Sequence, residues 1–341
     1  MKWWSGVVLA GALAGAWAAP LRAQNGTAAL DAQCAGGSSV FQDVCQKATD
    51  LYRLLSPQLG TLVAGGNATL GRGTPLGPGH WTIGLRLHVV GGSIPDLQNF
   101  PVDTGPAKRT TFTQQSYPLP LPMVEGAVGL LPVVHVGALG VGGLDALVNA
   151  AWLPNASHGS ISVRLPSGSL KLGFGARVGL VDGPGPMPAI SATVIRRELP
   201  VVDAAANFGA NSDRVAVENL RIRTTAWRIV ASGALGPVHL DAGAGRDRAT
   251  SAMNLFVALQ PPRCTYGPAA CSGHPFQEFT QTVSRSQLFA DASVRIPGAT
   301  LTLEVGRAGA IPLATYNAFA GRDPGAALWE GALGIRFGMG R

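Results

Sequence analysis

The chain alternates without interruption through Trp81-Thr82-Ile83-Gly84-Leu85-Arg86-Leu87-His88-Val89. Its odd positions are all apolar, whereas its even positions hold threonine, glycine, arginine and histidine. Because successive side chains of a β-strand point to opposite faces, this period of two predicts a strand with one apolar and one polar face. The stretch therefore predicts a β-protein.

The same alternation recurs along the chain. It is clearest in Leu170–Leu180, Val238–Ala244, Leu288–Ile296, Leu301–Gly306 and Trp329–Met339. Weaker strand candidates are Val124–Leu130, Leu144–Trp152, Ile190–Glu198, Val215–Ile222, Arg223–Ser232 and Ala252–Leu259. Breaks in the alternation near Glu218-Asn219 and Thr224-Thr225 indicate turns or β-bulges. Together these segments predict an all-β fold of about 12 strands, within a range of roughly 10 to 14.

The composition indicates what these strands face. Only 13% of the 341 residues are charged and 46 are glycine, whereas soluble domains carry about 25% charged residues. A soluble sandwich would present a charged face to water, but a transmembrane barrel presents its apolar face to lipid and can line its lumen with glycine and sparse charges. The sparse polar face favours a transmembrane antiparallel β-barrel, with Trp81, Trp152, Trp227 and Trp329 in interfacial girdles.

The chain ahead of the first strand divides in two. Lys2, an apolar stretch from Gly6 to Ala18 and the small Ala23 are typical of a secretory signal peptide over residues 1–23. Apolar residues at helical spacing between 38 and 62 predict an amphipathic helix, which a glycine-rich run follows. We therefore predict a signal peptide (1–23), a plug-like segment of helix and glycine-rich chain (24–75), and a barrel (76–341).

The four cysteines form two local pairs, Cys34 with Cys45 and Cys264 with Cys271. In an exported protein such pairs predict two short-loop disulfides. Neither pair has the spacing of a zinc site, and the six histidines are scattered through the chain. We expect no metal and no cofactor.

Isolated charges fall on the polar faces of the predicted strands. The candidates for the lumen wall are Arg86, His88, Asp145, Lys171, Arg177, Arg197, His239, Asp241, Asp291, Arg295, Glu304, Glu330 and Arg336, and the same assignment places Arg221, Arg223 and Arg307 inward. Two interpretations stay open. The charges either form an arginine and acid ladder that fills the lumen, or leave a positive wall that attracts anionic or carboxylate-bearing solutes.

Nucleic-acid binding and catalysis have weaker support. The formal net charge is +7, but the arginines are scattered singly, so we expect no nucleic-acid partner. His239 and Asp241 are the best candidates for a hydrolytic pair, yet no serine lies in a nucleophile elbow. We predict no catalytic residues and no enzyme, and keep a barrel enzyme as a third alternative.

Several features carry a resemblance to a known family. They are the leader, the helical and glycine-rich N-terminal segment, Leu119-Pro120-Leu121-Pro122 before a glycine-rich strand, and a closing strand that ends near the aromatic Phe337. In these the chain resembles bacterial outer-membrane β-barrels of the long-chain fatty-acid transporter type, and a group of uncharacterised outer-membrane proteins with the same plan. The Asn-Pro-Ala that opens the transporters is not found near Asn67-Ala68, so no ligand residue is carried over.

The apolar outer face of the strands and the plug-like N-terminal segment lead us to expect a monomer in the bacterial outer membrane that takes up a small hydrophobic or amphipathic solute passively. Its partners would be outer-membrane lipid, the barrel-assembly machinery and the solute. The alternative is a structural or adhesive barrel with a sealed lumen. Its Pro-rich loops at 91–122, at 182–188 and around Cys264 and Cys271 would then bind a partner.

Overall fold

The computed structural model describes residues 28–95, 103, 105–158, 161–183, 187–208, 213–259 and 273–339. The predicted signal peptide and the predicted Cys264–Cys271 pair lie outside these residues. Two helices open the described chain, α1 (Ala32–Gly36) and α2 (Ser39–Ala64), which confirms the predicted N-terminal helix. A disulfide joins Cys34 of α1 to Cys45 of α2, as predicted. Neither helix is long and apolar enough to cross a membrane.

The rest of the described chain is almost entirely strand. The strands are β1 (Trp81–Pro95), β2 (Thr111–Val136), β3 (Leu139–Trp152), β4 (Ala156–His158), β5 (Ile161–Arg164), β6 (Leu170–Val181), β7 (Ala189–Glu198), β8 (Val202–Phe208), β9 (Asp213–Leu235), β10 (Val238–Ala258), β11 (His274–Ile296), β12 (Ala299–Ala308), β13 (Ala318–Ala320) and β14 (Leu328–Met339).

Ten of these strands close into one antiparallel ring. Their order is β1-β2-β3-β6-β7-β9-β10-β11-β12-β14, and β14 pairs again with β1. Outside the ring, β8, β5 and β4 extend the sheet from β9, while β13 pairs with β2. The predicted all-β barrel is confirmed, with a strand number at the low end of the expected range.

One reason for the lower number is β9. The two candidates Val215–Ile222 and Arg223–Ser232 form this single strand. The bulge expected near Asn219 is present, since the register to β10 shifts there and the φ angle of Asn219 is 54°. The break expected at Thr224-Thr225 is absent, because both residues pair with β10 in unbroken register.

The two ends of the barrel differ in their connections. Tight turns at Gly137-Ala138, Gly236-Pro237 and Pro297-Gly298 lie at one end, here called the short-turn end, where β6 also ends and β7 begins. At the other end, here called the long-loop end, β1, β3, β7, β10 and β12 end, and 14 to 19 residues separate each of them from the next strand of the ring. Gly236 (φ 60°) and Gly298 (φ 79°) supply the positive φ angles that tight hairpin turns require.

Large apolar side chains cover the outside of the ring. Phe174, Leu303 and Leu333 are 62%, 59% and 61% exposed, an exposure that water would penalise heavily. The four tryptophans predicted for the girdles also face outward and are 42 to 66% exposed. The exterior is thus that of a transmembrane barrel.

The Pro-rich segment 91–122 is mostly strand, contrary to the loop expected there. Residues 91–95 complete β1, and β2 begins at Thr111. Pro118, Pro120 and Pro122 pair with β1, while β3 pairs with β2 only from Met123 onward. These prolines are therefore on a stretch of β2 that is open on one side, where a missing N–H breaks no ladder bond.

Helix α2 lies inside the ring and enters it from the long-loop end. Phe41, near its start, stacks on His274 with ring centroids 5.4 Å apart. In its middle, the hydroxyl of Tyr52 lies 2.8 Å from the Ser251 hydroxyl. Near its end, the Gly60 carbonyl accepts a 3.2 Å hydrogen bond from Thr224 Oγ1. Most of its side chains are buried, including polar ones.

Candidate functional site

The lumen holds a continuous piece of the chain that we call the plug: α2 followed by residues 65–79. Helix α2 ends in mid-barrel, and residues 65–79 continue from there to the short-turn end, where β1 begins. Glycines let the backbone of this segment lie flush with the wall. A Cβ built at Gly73 would lie 1.9 Å from Ser232 Oγ, and one at Gly71 (φ 67°) 2.3 Å from Thr302 Oγ1.

The C-terminus of α2 meets a group of wall side chains that satisfy its free carbonyls. Arg197 donates to the Ala64 carbonyl, and at 2.9 Å to that of Ala68. Arg228 donates to the carbonyls of Gly65 (2.7 Å) and Gly66 (2.8 Å). The last carbonyls of a helix lack partners within it and carry partial negative charge. The buried arginines therefore act as a C-terminal cap supplied by the wall.

Arg86 joins the plug to two acids of the wall. Its guanidinium donates at 2.6 Å to the Asn67 carbonyl and lies 3.0 Å from Glu125 Oε1 and 2.6 Å from Glu304 Oε1. Glu304 in turn accepts the Asn67 N–H at 2.7 Å. All three charged side chains are buried. Glu304 therefore depends on Arg86 for its counter-charge, whereas Glu125 also lies 3.1 Å from Arg197 Nη2.

A second group holds the plug nearer the short-turn end. Arg177 lies 2.6 Å from Asp145 Oδ2, and Asp145 accepts the Leu76 N–H at 3.0 Å. Arg177 also donates to the Arg72 carbonyl at 2.6 Å.

The structure places the predicted wall residues as follows. Buried and facing inward are Arg86, His88, Asp145, Arg177, Arg197, Asp241, Asp291, Glu304 and Glu330. Arg336 is half-buried and donates to the Leu70 carbonyl at 2.8 Å. His239 and Arg295 lie at the short-turn mouth. Lys171 lies at the other end, with its Nζ 3.7 Å from Glu198.

Three arginines expected inside lie outside. In β9 the outward positions include Trp227 and Ile229, and the same phase carries back through Arg223 to Arg221. Arg307 faces outward in β12, with its guanidinium 5.7 Å from the Trp329 ring. The expected break at Thr224-Thr225 had displaced the phase of β9. For the same reason Arg228 was missed. Its two neighbours, Trp227 and Ile229, face outward, so strict alternation places Arg228 inside the barrel.

A polar cavity opens at the short-turn mouth, between the plug and the wall. Its volume is about 430 Å³. The ionisable side chains that line it are Arg72, His239, Arg295 and Arg336, and Thr74, Ser293 and Thr300 add hydroxyls. All ionisable groups on this lining are basic, so the cavity favours an anion.

The pair proposed for the enzyme alternative lies at this cavity, with His239 on its lining and Asp241 buried behind it. His239 Nε2 is 3.3 Å from Asp241 Oδ1. Across the sheet, Asp291 and Ser232 are the register partners of Asp241, so a second acid and a serine are close. Plug residue Gly73 packs directly against Ser232 and Asp241, which leaves a substrate no access to them while the plug is in place. That the chain is not an enzyme stays a prediction.

Only one group of three possible metal ligands occurs among the described residues. The ligand atoms of His88, Glu304 and Glu330 lie within 4.8 Å of one another. His88 Nδ1 is 2.8 Å from the Leu62 carbonyl, which leaves Nε2 facing Glu330 Oε2 at 3.5 Å. The absence of a metal stays a prediction.

The closed ring, the apolar exterior and the polar, plug-filled interior define a class of protein. The chain has the fold of a bacterial outer-membrane β-barrel with an internal plug.

No protein-family model and no curated protein matches the chain. Among solved structures it is similar to the outer membrane protease OmpT of Escherichia coli, at 10% identity over 79% of this chain and 100% of that one, with a TM-score of 0.36. It is also similar to the β domain of the Bordetella autotransporter BrkA, at 9% identity, 75% and 98% coverage and a TM-score of 0.28. A third is the toluene transporter TbuX of Ralstonia pickettii, at 13% identity, 89% and 98% coverage and a TM-score of 0.28.

Proposed function

We propose that this protein is a plugged outer-membrane channel for the passive uptake of a small amphipathic solute that carries a negative charge. The observation that carries the proposal is the way the lower plug, residues 65–79, is held. No strand pairing ties it to the wall; side chains such as Arg86, Arg177 and Arg228 bind its carbonyls. Such contacts can be exchanged for water one at a time when the plug moves.

The chemistry of the solute follows from the two parts of the lumen. The basic cavity at the short-turn mouth suits a carboxylate or another anionic group. Toward the long-loop end, α2 packs on apolar wall residues such as Met253, Leu255 and Phe279, so displacement of the helix would expose an apolar wall. A solute with an apolar body and an anionic head fits both parts.

The test compares the full chain with a form that lacks residues 24–75, both reconstituted in liposomes. We expect the shortened form to conduct ions and to admit an amphipathic carboxylate faster than its neutral amide, because the wall arginines lose their plug carbonyls. Protein-free liposomes and heat-dependent gel mobility serve as controls for leakage and folding. If neither form raises solute flux or conductance, the transport proposal is wrong.

The second candidate is a sealed structural or adhesive barrel. It is favoured by the apolar packing around α2, where Val44 and Cys45 are fully buried. It predicts that the full chain stays closed under every solute and voltage. Binding would then be a property of the long-loop end alone.

A further inference from the structure

The outer surface of the barrel carries a concentrated group of arginines. They lie on the neighbouring strands β7, β9 and β10, and all face outward and are exposed: Arg196, Arg221, Arg223, Arg246 and Arg248. We call this group the arginine patch. The positions beside them on the same face include Thr225, Ser284 and Ser286, and none of these carries a charge. Five like charges so close together favour a partner of opposite charge.

The strand register shows how close these arginines are. Arg196 and Arg248 flank Thr225 on one row across the three strands. Neighbouring strands lie about 4.8 Å apart, so the Cα atoms of these two arginines are roughly 10 Å apart. Arg223 lies on the next row and Arg221 on the one after, at intervals of about 7 Å along the strand. The patch can therefore engage one large anionic group from several sides.

The acids in and near the patch do not neutralise it. Glu198 lies 2.6 Å from Arg223 and 3.3 Å from Arg196, and its carboxylate also lies 3.7 Å from Lys171 Nζ. One carboxylate thus serves three cations. Glu218, beyond the bulge at Asn219, is exposed farther along β9. Asp247 sits between two patch arginines in sequence, but it faces inward and pairs with Arg228 at 2.5 Å.

The height of the patch on the barrel identifies its partner. Arg246 is the register partner of Trp227, an outward-facing tryptophan of the kind that lies at the membrane interface. The other arginines lie on the long-loop side of that row, and below it Ile229 is exposed to lipid. In barrels of this class the longer loops face the cell exterior. The patch therefore lies at the level of the outer-leaflet head groups.

We propose that the arginine patch binds the phosphate groups of an outer-leaflet phosphorylated glycolipid, the lipid A type. Arginine presents a planar fork of donors that matches a phosphate, and weak hydration lets it leave water at an interface. Trp227 and the apolar side chains below the patch would contact the acyl chains of the same molecule. This binding site lies on the barrel exterior and does not depend on whether the lumen conducts.

The test measures binding of the purified full chain to detergent micelles that contain bis-phosphorylated lipid A or its dephosphorylated form. The variant Arg223→Gln/Arg248→Gln is compared with Arg164→Gln/Arg307→Gln, which removes two exposed arginines elsewhere on the molecule. We expect the patch variant to lose at least tenfold in affinity for the phosphorylated lipid and the control to change less than twofold. Both should keep the heat-dependent gel mobility of the folded barrel and the solute flux of the unchanged protein.

Two results would overturn the proposal. One is equal binding of phosphorylated and dephosphorylated lipid, or equal binding by the patch variant and the control. The other is free inorganic pyrophosphate that binds as tightly as the lipid, which would mark a site for a soluble anion. If either variant fails to fold, lysine substitutions at the same positions keep the charge and remove the fork. The lysine variant of the patch should then bind the phosphorylated lipid more weakly than the lysine variant of the control positions, and equal binding by the two would overturn the proposal.

Discussion

At the scale of single residues, Arg86 of the alternating stretch Trp81–Val89 is the clearest link between the plug and the barrel wall. It reaches the plug through the Asn67 carbonyl and the wall through Glu125 and Glu304. Its side chain is buried, so solvent cannot replace it as the counter-charge. The charges in the lumen thus have at least a structural role, whatever solute they also meet.

Replacing Arg86 with glutamine should therefore destabilise the folded barrel strongly. Glu304 would keep only the Asn67 N–H, and removal of one partner from a buried ion pair costs about 3 to 5 kcal/mol. Urea unfolding in detergent micelles measures the loss. The control Arg196→Gln removes an arginine that is half-exposed and should cost at most about 1 kcal/mol. Equal midpoints for the two variants would contradict the assigned role.

The alternation of the sequence was sufficient to place many wall residues, because lipid outside and a polar lumen inside make the period strict. Arg86, His88 and Asp145 follow directly from it. It failed in β9, where a break was expected at Thr224-Thr225 and none exists, and Arg228 was missed for that reason. Which plug carbonyl each arginine binds was beyond any pattern, since most of those contacts join distant positions, such as Arg228 and Gly65, which lie 163 residues apart in sequence.

At the scale of elements, the plug has two parts. The first is helix α2, whose C-terminal carbonyls accept hydrogen bonds from the wall. The second is the extended segment 65–79, in which some positions have no room for a side chain. Gly73 is the tightest of these. A Cβ there would meet Ser232 Oγ at 1.9 Å, Val230 Cγ1 at 2.8 Å and Asp241 Oδ1 at 3.3 Å. The plug must move if that position gains a methyl group.

We expect Gly73→Ala to loosen the lower plug at a cost of about 1 to 3 kcal/mol, as overpacking does elsewhere. Single-channel recording should then show openings that the unchanged protein lacks. Gly233→Ala is the matched control on β9, because a Cβ at Gly233 has nothing within 4 Å. Identical recordings from both variants would show that Gly73 does not hold the plug closed.

At the scale of the whole molecule, the barrel has a direction. The long-loop end holds α1, the start of α2 and the extra strands β4, β5 and β8, while the short-turn end holds the basic cavity. Since long loops face the cell exterior in this class, the basic cavity faces the periplasm. The first described residues then lie on the outer side of the membrane.

Epitope tags test this direction in intact cells. A tag after Ala28 and one in the turn at 166–168 should both bind antibody without permeabilisation. A tag at the Pro297-Gly298 turn should bind only after the outer membrane is opened. If antibody labels the Pro297-Gly298 tag on intact cells, or fails to label the tag after Ala28, the barrel has the opposite orientation. The arginine patch would then lie in the other leaflet.

The course of the plug also constrains the order in which the molecule assembles. The chain passes from the long-loop end down the lumen before β1 begins, and the ring is sealed by the seam between β1 and the last strand, β14. A helix bonded by Cys34–Cys45 to the segment before it would have to be threaded lengthwise through a finished ring. It is simpler for the strands to gather around the plug, so the seam should be the last pairing to form and the first place where an unplugged chain would close wrongly.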